Sequence, residues 1–429
     1  MAAGERAMTA RLPALNQAGL GVRAQAMLAE LGAISSDPQR LVRLFLTPEH
    51  RRAADLVARW MREAGMSASE DALGTVRGRW TPPGGSGTRR LLIGSHIDTV
   101  VDAGKYDGPL GVVAGILAVE AIAKSGASLP IGLDVLAFGD EEGSRFTATL
   151  TSSSACAGVF DPTALAATDS EGVTLADALR AYGKDPAAIG QCAYARAEAA
   201  AYIEVHIEQG PVLEAQDRPL GIVTAIVGQT RMRATVTGMA GHAGTVPMPM
   251  RRDALAGAAE MILAVERIAQ QNAADAMVAT VGRIEASPGA VNVIAGRVGF
   301  TVDLRTATDA LRHAAIAQIR EAAARIAERR KLDVAFEIFH ETATTPCDPR
   351  LQDMLQAAIE ELGHVPLRLS SGAGHDAQVM AGLCPAAMMF VRCRGGISHN
   401  PAEHASPQDM GAAVAALAGF IARFAQAQG

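Results

Sequence analysis

The sequence predicts an α/β fold, a mostly parallel sheet covered by helices and interrupted by a smaller α+β module. Three observations carry this. Two largely apolar runs, over 90–94 and 131–138, are separated by a helical pattern over 112–123, and strand, helix, strand in that order implies parallel strands. Both runs end on polar clusters, Ser95-His96-Ile97-Asp98 and Asp140-Glu141-Glu142, and ligands gather beyond the carboxyl ends of such strands. From residue 221 the texture changes to alternating strands with two long helices, which divides the chain into a main domain of residues 1–220 and 338–429 and an inserted domain of residues 221–337.

Each element has a local reason. Apolar residues at helical spacing predict a helix within 41–66, with Thr47 and Pro48 suited to the N-cap and first helical position and Gly65 to the stop. A Pro/Gly-rich break over 81–88 precedes the first buried strand. A third strand, 201–206, runs into Glu208-Gln209-Gly210. In the inserted stretch, 224–227 and 231–238 alternate as half-exposed strands, 252–269 is an amphipathic helix, and 279–284 and 297–304 are strands. A helix over 308–330 leads to a strand over 333–339. The chain then returns through a helix over 351–362, a strand over 386–391 and a final helix over 407–425.

Composition narrows the function classes. With 429 residues and 49% hydrophobic content, the chain can build a large core without disulfides or a structural metal. Lys+Arg 39 against Asp+Glu 45 leaves a formal charge of −6, so no basic surplus points to nucleic acid or an anionic membrane. The most apolar windows, 129–138 and 412–424, are interrupted by charge and fall short of a bilayer span. Met1-Ala-Ala-Gly-Glu-Arg is charged early and lacks the apolar run of a secretory signal. Cys156, Cys192, Cys347, Cys384 and Cys393 are scattered, with no C-x-x-C pair, as reduced thiols are. The expectation is a cytoplasmic protein whose partner is a small molecule.

The chemistry lies in His96, Asp107, Glu142, His206 and His399. Imidazoles and carboxylates at strand-to-loop junctions suit zinc and similar divalent ions, and five such groups can hold two of them. The motifs Gly94-Ser-His96-Ile-Asp98, Lys105-Tyr-Asp107-Gly-Pro-Leu-Gly111, Gly139-Asp-Glu141-Glu142-Gly and Glu204-Val-His206-Ile-Glu-Gln209-Gly occur in that order. They are followed by Gly241-His242-Ala-Gly-Thr-Val-Pro247, Val291-Asn292-Val-Ile, Gly372-Ala-Gly374-His375-Asp376 and Ser398-His399-Asn-Pro. Together they resemble the amidase, hydantoinase and carbamoylase branch of the M20 metallopeptidase family, which includes N-carbamoyl-L-amino-acid hydrolases, β-ureidopropionases and allantoate amidohydrolases.

The resemblance implies a metal-binding catalytic domain with an inserted lid and dimerisation domain, working as a homodimer. It implies that Asp107 bridges two divalent ions, that His96 and His206 complete one site, and that Glu142 and His399 complete the other. Zinc is the expected ion, with manganese, cobalt or nickel as alternatives for the same ligands. Asp98 is implied to hold the far imidazole N–H of His96, and Glu141 to serve as general base and then acid. His242 resembles the family histidine that reaches across a dimer interface to stabilise an oxyanion, and Arg305 is placed to grip a substrate carboxylate. Gln209, Asn292 and the Gly374 backbone resemble residues that meet the substrate's polar groups, with the inserted domain closing over the main one.

Two departures stand out: Ala295 replaces the proline usual after Val-Asn-Val-Ile, and the stretch from Asp71 lacks a common Gly-Asn pair. A serine hydrolase built on Ser370-Ser371-Gly-Ala-Gly-His375-Asp376 lacks the G-x-S-x-G elbow. A binding protein that had lost catalysis would lack Glu141 or the bridging ligand, and both are present. His206 in place of a carboxylate argues against a dipeptidase. The expected reaction is metal-dependent hydrolysis of the ureido C–N bond of an N-carbamoyl-L-amino acid, giving amino acid, ammonia and carbon dioxide. Allantoate amidohydrolase and β-ureidopropionase are the alternatives.

Overall fold

The computed structural model describes residues 15–83 and 87–428. The charged N-terminal segment Met1-Ala-Ala-Gly-Glu-Arg and part of the break over 81–88 lie outside the described residues. The chain divides into two compact units, one of residues up to Thr224 with Cys347–Leu369 and Gly374 onward, the other of Ala225–Pro346 with Ser370–Ala373. The second unit therefore extends beyond the expected limit at 337. The reason is that strand Asp333–Thr342 stays paired with Gly228–Thr237 as far as Thr342 opposite Gln229.

In the first unit the sheet runs Ser67–Glu70, Val76–Trp80, Gly132–Phe138, Arg90–His96, Ala199–Ile207, Ala386–Val391, Leu220–Ile226. The four central strands are parallel, and antiparallel strands flank them on both sides. Every residue of those four strands is buried, because helices cover both faces, and that is why they read as largely apolar runs. Ile93, Val135, Val205 and Met389 share one core with Val113 and Leu117 of helix Pro109–Ser125 and Leu417 and Phe420 of helix Pro407–Gln426.

Among the charges that interrupt this sheet, Arg90 and Asp134 are paired with each other, both buried. The Arg90 guanidinium also donates to the Trp80 and Gly87 carbonyls at 2.8 and 2.9 Å. The Tyr194 hydroxyl donates to Asp134 at 2.8 Å. Removing one partner of such a pair strands the other charge and costs about 3–5 kcal/mol.

The helix expected within 41–66 begins only at Pro48 and ends at Glu63, with the Thr47 side chain accepting the His50 N–H. Leu46, at φ 58°, takes the left-handed turn that keeps the preceding residues out of it. Among the described residues no helix is long and apolar enough to cross a membrane, and all five cysteines are free and buried.

The second unit carries an antiparallel sheet in the order Ile284–Ser287, Arg297–Thr306, Gly228–Thr237, Asp333–Thr342. Its inward residues Met232, Val236, Phe300 and Leu304 pack with Met261 of helix Ala254–Gln271 and Ile316 and Ile319 of helix Asp309–Arg330. The alternate residues Gln229, Arg231, Asp303 and Arg305 are only partly buried or exposed, as a one-face-covered sheet requires. The single strand expected over 279–284 is two: Val278–Thr280 pairs with residues 303–305, and Ile284–Ser287 with residues 297–300. A separate two-stranded pairing sets Gly241–His242 against Val293–Ile294.

Candidate metal centre and substrate residues

Three adjacent parallel strands deliver the first ligands. His96 is the last residue of Arg90–His96, His206 lies one short of the end of Ala199–Ile207, and Glu141 and Glu142 follow Gly132–Phe138. Asp107 precedes helix Pro109–Ser125, joined to it by Gly108 at φ 77°. Position 108 must be glycine, both for that angle and because a Cβ would stand 2.4 Å from the His96 ring. Gln209 and His399, at φ 56° and 53°, are left-handed without being glycine. Such strain persists where surrounding contacts over-determine it, and it clusters at functional sites.

Asp107 is the hub. Its Oδ1 lies 3.1 Å from His206 Nε2 and 3.7 Å from His96 Nε2, while its Oδ2 lies 3.2 Å from His399 Nε2. Glu142 Oε2 is 3.5 Å from the same His399 nitrogen. The ligand atoms of His96, Asp107 and His206 fall within 4.8 Å of one another, and so do those of Asp107, Glu142 and His399. The two triads share one carboxylate.

The tautomers show what this arrangement needs. His206 Nδ1 is 2.9 Å from the Ile207 carbonyl, so in the neutral ring it carries the hydrogen and Nε2 offers a lone pair to Asp107. That Nε2 is buried with no hydrogen-bond partner. His96 is held in the same sense, with Nδ1 3.2 Å from the Asp98 carbonyl and 3.4 Å from its Oδ1. Lone pairs and a carboxylate facing one another in a buried space call for a cation, and the donor set of imidazole and carboxylate fits divalent metal ions. Asp98 also accepts the backbone N–H groups of Glu141 and Glu142, each at 3.2 Å, so one carboxylate fixes a ligand's tautomer and the neighbouring loop.

The charges bear on one another accordingly. Burial works to raise Asp107, but the His206, His399 and His96 imidazoles against it, when protonated, outweigh burial and hold its carboxyl well below the usual range. Burial pushes Glu142 up to about 7 and Glu141 well above the ordinary carboxylate range. Glu141 Oε2 is 3.9 Å from His96 Nε2. A partly buried carboxyl beside a cation site that readily holds a proton is equipped for general base and acid work.

Two residues of this centre take no role from the sequence, Glu403 outside every motif and Ser398 inside Ser398-His399-Asn-Pro. Glu403 Oε1 accepts the backbone N–H groups of Tyr106 at 2.8 Å and Asp107 at 3.1 Å, and burial pushes its carboxyl up to about 7. Ser398 donates to Asp107 Oδ2 at 2.8 Å. The Gln209 amide nitrogen, expected to meet substrate, instead donates to the same Oδ2 at 2.8 Å. Its Oε1 is buried without a hydrogen-bond partner, so an acceptor is what Gln209 has to offer. Gly374 lies in the turn between strand Leu367–Ser371 and helix Asp376–Met380.

On the second unit His242 is exposed and paired opposite Val293, and the Ala243 N–H donates to the Asn292 carbonyl at 2.9 Å. Gly244 donates its N–H to His242 Nδ1 at 3.1 Å, so the neutral ring carries its hydrogen on Nε2, facing outward as a donor. Arg305 lies near the far end of strand Arg297–Thr306. The His242 pairing adjoins the Arg297 end, and eight residues at about 3.3 Å each separate Arg297 from Arg305 by about 26 Å. The inserted domain of one chain thus keeps Arg305 apart from His242 and Asn292, where the sequence motifs group all three around one substrate.

Residues 92–423 match the profile of Peptidase family M20/M25/M40. The chain belongs to this family. Among curated proteins it is 43% identical to an allantoate deiminase of Arabidopsis thaliana, over 95% of this chain and 83% of that one. It is 39% identical to an N-carbamoyl-L-amino acid amidohydrolase of Geobacillus stearothermophilus, over 95% of this chain and 99% of the relative. Among solved structures, an amidase of the hydantoinase/carbamoylase family from Burkholderia multivorans superposes with a TM-score of 0.87 at 35% identity, covering 94% of this chain and 98% of that one.

Proposed function

We propose that this M20 family member hydrolyses the ureido C–N bond of an N-carbamoyl-L-amino acid, giving the amino acid, ammonia and carbon dioxide. The observation that carries the reading is the pair of ligand triads sharing Asp107 beside the partly buried Glu141. His96 and His206 would hold one divalent ion, Glu142 and His399 a second, with Asp107 available to both. Zinc is the ion proposed from the ligand types, and when bound the pair lowers the cost of activating water and polarises the carbonyl under attack.

The chain's own groups do the rest. Glu141 takes a proton from the attacking water and delivers it to the leaving nitrogen, a double duty suited to a carboxyl raised by burial. The C–N bond breaks as that nitrogen is protonated, and the carbamate left behind loses carbon dioxide. Asp98 keeps His96 in the tautomer that ligates. Arg305 grips the substrate carboxylate, a task for a planar fork rather than an ammonium. Gln209 Oε1 and the Gly374 backbone meet the ureido group, whose N–H groups need acceptors.

His242 supplies an N–H to the developing oxyanion, and Asn292 binds beside it. Their distance from Arg305 supports a homodimer in which they serve the partner's site. Met239, Met248, Met250 and Val291, all exposed, flank His242 and Asn292 along the chain, and large exposed apolar residues in one region mark an interaction surface. Five free, buried cysteines support a reducing, cytoplasmic setting.

Identity to the Arabidopsis allantoate deiminase favours a second reading, allantoate, which likewise joins a carboxylate to ureido groups. The test is ammonia release by metal-reconstituted protein from N-carbamoyl-L-amino acids, their D-enantiomers, N-carbamoyl-β-alanine, allantoate and dipeptides. Release from the L-ureido acids is the expected result. Release from allantoate alone installs the second reading, and silence on every ureido compound with ions bound overturns both.

A further inference from the structure

Arg305 does not stand alone on its sheet face. Asp303 and Arg305 are two apart on one strand, so their side chains leave the same face, and the antiparallel register sets Arg231 opposite Asp303 and Gln229 opposite Arg305. The four meet. Arg305 donates from Nε to Asp303 Oδ1 at 3.0 Å and from Nη2 to Oδ2 at 3.1 Å. Gln229 Nε2 donates to both oxygens of Asp303, at 3.0 and 2.8 Å, and Arg231 Nε to Oδ2 at 3.2 Å. The remaining contact of Arg305 is Nη1 to the Gly372 carbonyl at 2.8 Å.

These contacts fix which donors are left. A guanidinium has five N–H groups. Asp303 takes the one on Nε and one on Nη2, and Gly372 takes one on Nη1. One N–H remains on each of the two terminal nitrogens, and N–H groups on those nitrogens are the ones that grip a carboxylate two-pronged. The charge count agrees, because Arg231 and Arg305 share a single anion and leave one positive charge for a ligand.

We infer that Asp303 is the positioning residue of a carboxylate clamp, holding Arg305 by one edge so that its terminal nitrogens are presented to the acid group of the substrate. This rests on the reading of Arg305 as the carboxylate-binding group. Gln229 and Arg231 keep Asp303 itself from turning. A bound acid therefore meets a guanidinium that has already lost its rotamer freedom, and ordering it costs little at the moment of binding.

A competing arrangement, in which Asp303 occupies the acid's place and must be displaced, predicts the opposite sign. In Asp303→Asn, positioning raises KM for an N-carbamoyl-L-amino acid about tenfold, the size of one charge-assisted hydrogen bond, with kcat held within about twofold. Turnover of the carboxyl-amidated analogue does not change. Gln229→Leu, which keeps Asp303 but loosens it, raises KM about twofold to threefold and provides a second variant should the first fold poorly. Arg305→Lys raises KM for the acid and spares the amide, and adding Asp303→Asn to it costs nothing more.

A KM that falls or stays level in both Asp303→Asn and Gln229→Leu, while Arg305→Lys still separates acid from amide, overturns the positioning role alone. Equal losses on acid and amide in Arg305→Lys overturn the clamp reading and the positioning role with it.

Discussion

The proposed metal centre and the proposed Arg305 clamp are both polar clusters built around one aspartate, and they differ in how their charges stand without a ligand. Around Asp107 the ligand atoms of His96 and His206 are buried, those of Glu142 partly so and His399 is half-exposed; they come from segments as far apart in sequence as His96 and His399 and bring lone pairs against a carboxylate. Around Asp303 the partners come from two adjacent strands, lie partly in solvent, and compensate one another, and hydrogen bonds from Arg305 and Gln229 overcome burial to hold the Asp303 carboxyl below its usual range. The first cluster is incomplete without a cation; the second rests in a finished state that still offers one edge. Chemistry that must bind a metal is preorganised by burial, and recognition that must release a product is preorganised by pairing.

The comparison can be broken most sharply at Glu141. Glu141→Gln is expected to keep its metal and to lose about a thousandfold in kcat, measured by steady-state ammonia release alongside metal analysis. Normal turnover in that variant would remove Glu141 from the proton path. Next in size is His242→Ala, expected to lose about a hundredfold with its metal in place. Mixing it with Glu141→Gln tests sharing between copies. Random pairing makes half the dimers mixed, each with one intact site, so about a quarter of wild-type activity should return. No recovery after verified subunit exchange would count against a partner's His242.

Gly108→Ala isolates the preorganisation of the metal side. A Cβ there meets the His96 ring, so metal affinity is expected to fall between ten- and a hundredfold in competition with a chelator, in line with disturbing a group that orients a ligand. Gly126, also at positive φ but with nothing within 4 Å of where a Cβ would stand, is the matched control: Gly126→Ala should cost only about 1 kcal/mol of stability and leave metal binding alone. Similar losses of metal in both variants would show that backbone strain, not crowding of His96, is responsible.

What could be read in the sequence follows from what is local. Arg90–His96 and Gly132–Phe138 were legible because burial on both faces makes a strand a largely apolar run. Ser67–Glu70 was not, since its four residues are polar or small and none is buried. Helix Gln17–Gly32 also escaped, its buried face being made largely of Gly21, Ala24, Leu28 and Leu31 in a stretch with little polar contrast. The five candidate ligands stood out within motifs, three of them at or just past strand ends. Glu403 lay outside every motif and Ser398 lay inside one with no role of its own, because what makes them matter is contact with Asp107, nearly three hundred residues earlier. The separation of Arg305 from His242 was hidden for the same reason: only the antiparallel register sets the His242 pairing beyond the Arg297 end of the strand whose far end carries Arg305.

The central claim is that Asp107 bridges two ions, and counting metal tests it most directly. Purified protein, loaded with zinc and freed of excess, should carry about two ions per chain, His206→Ala about one, and Asp107→Ala close to none, as a shared carboxylate requires. Two ions retained by Asp107→Ala, or a single ion saturating the wild-type chain, would contradict it.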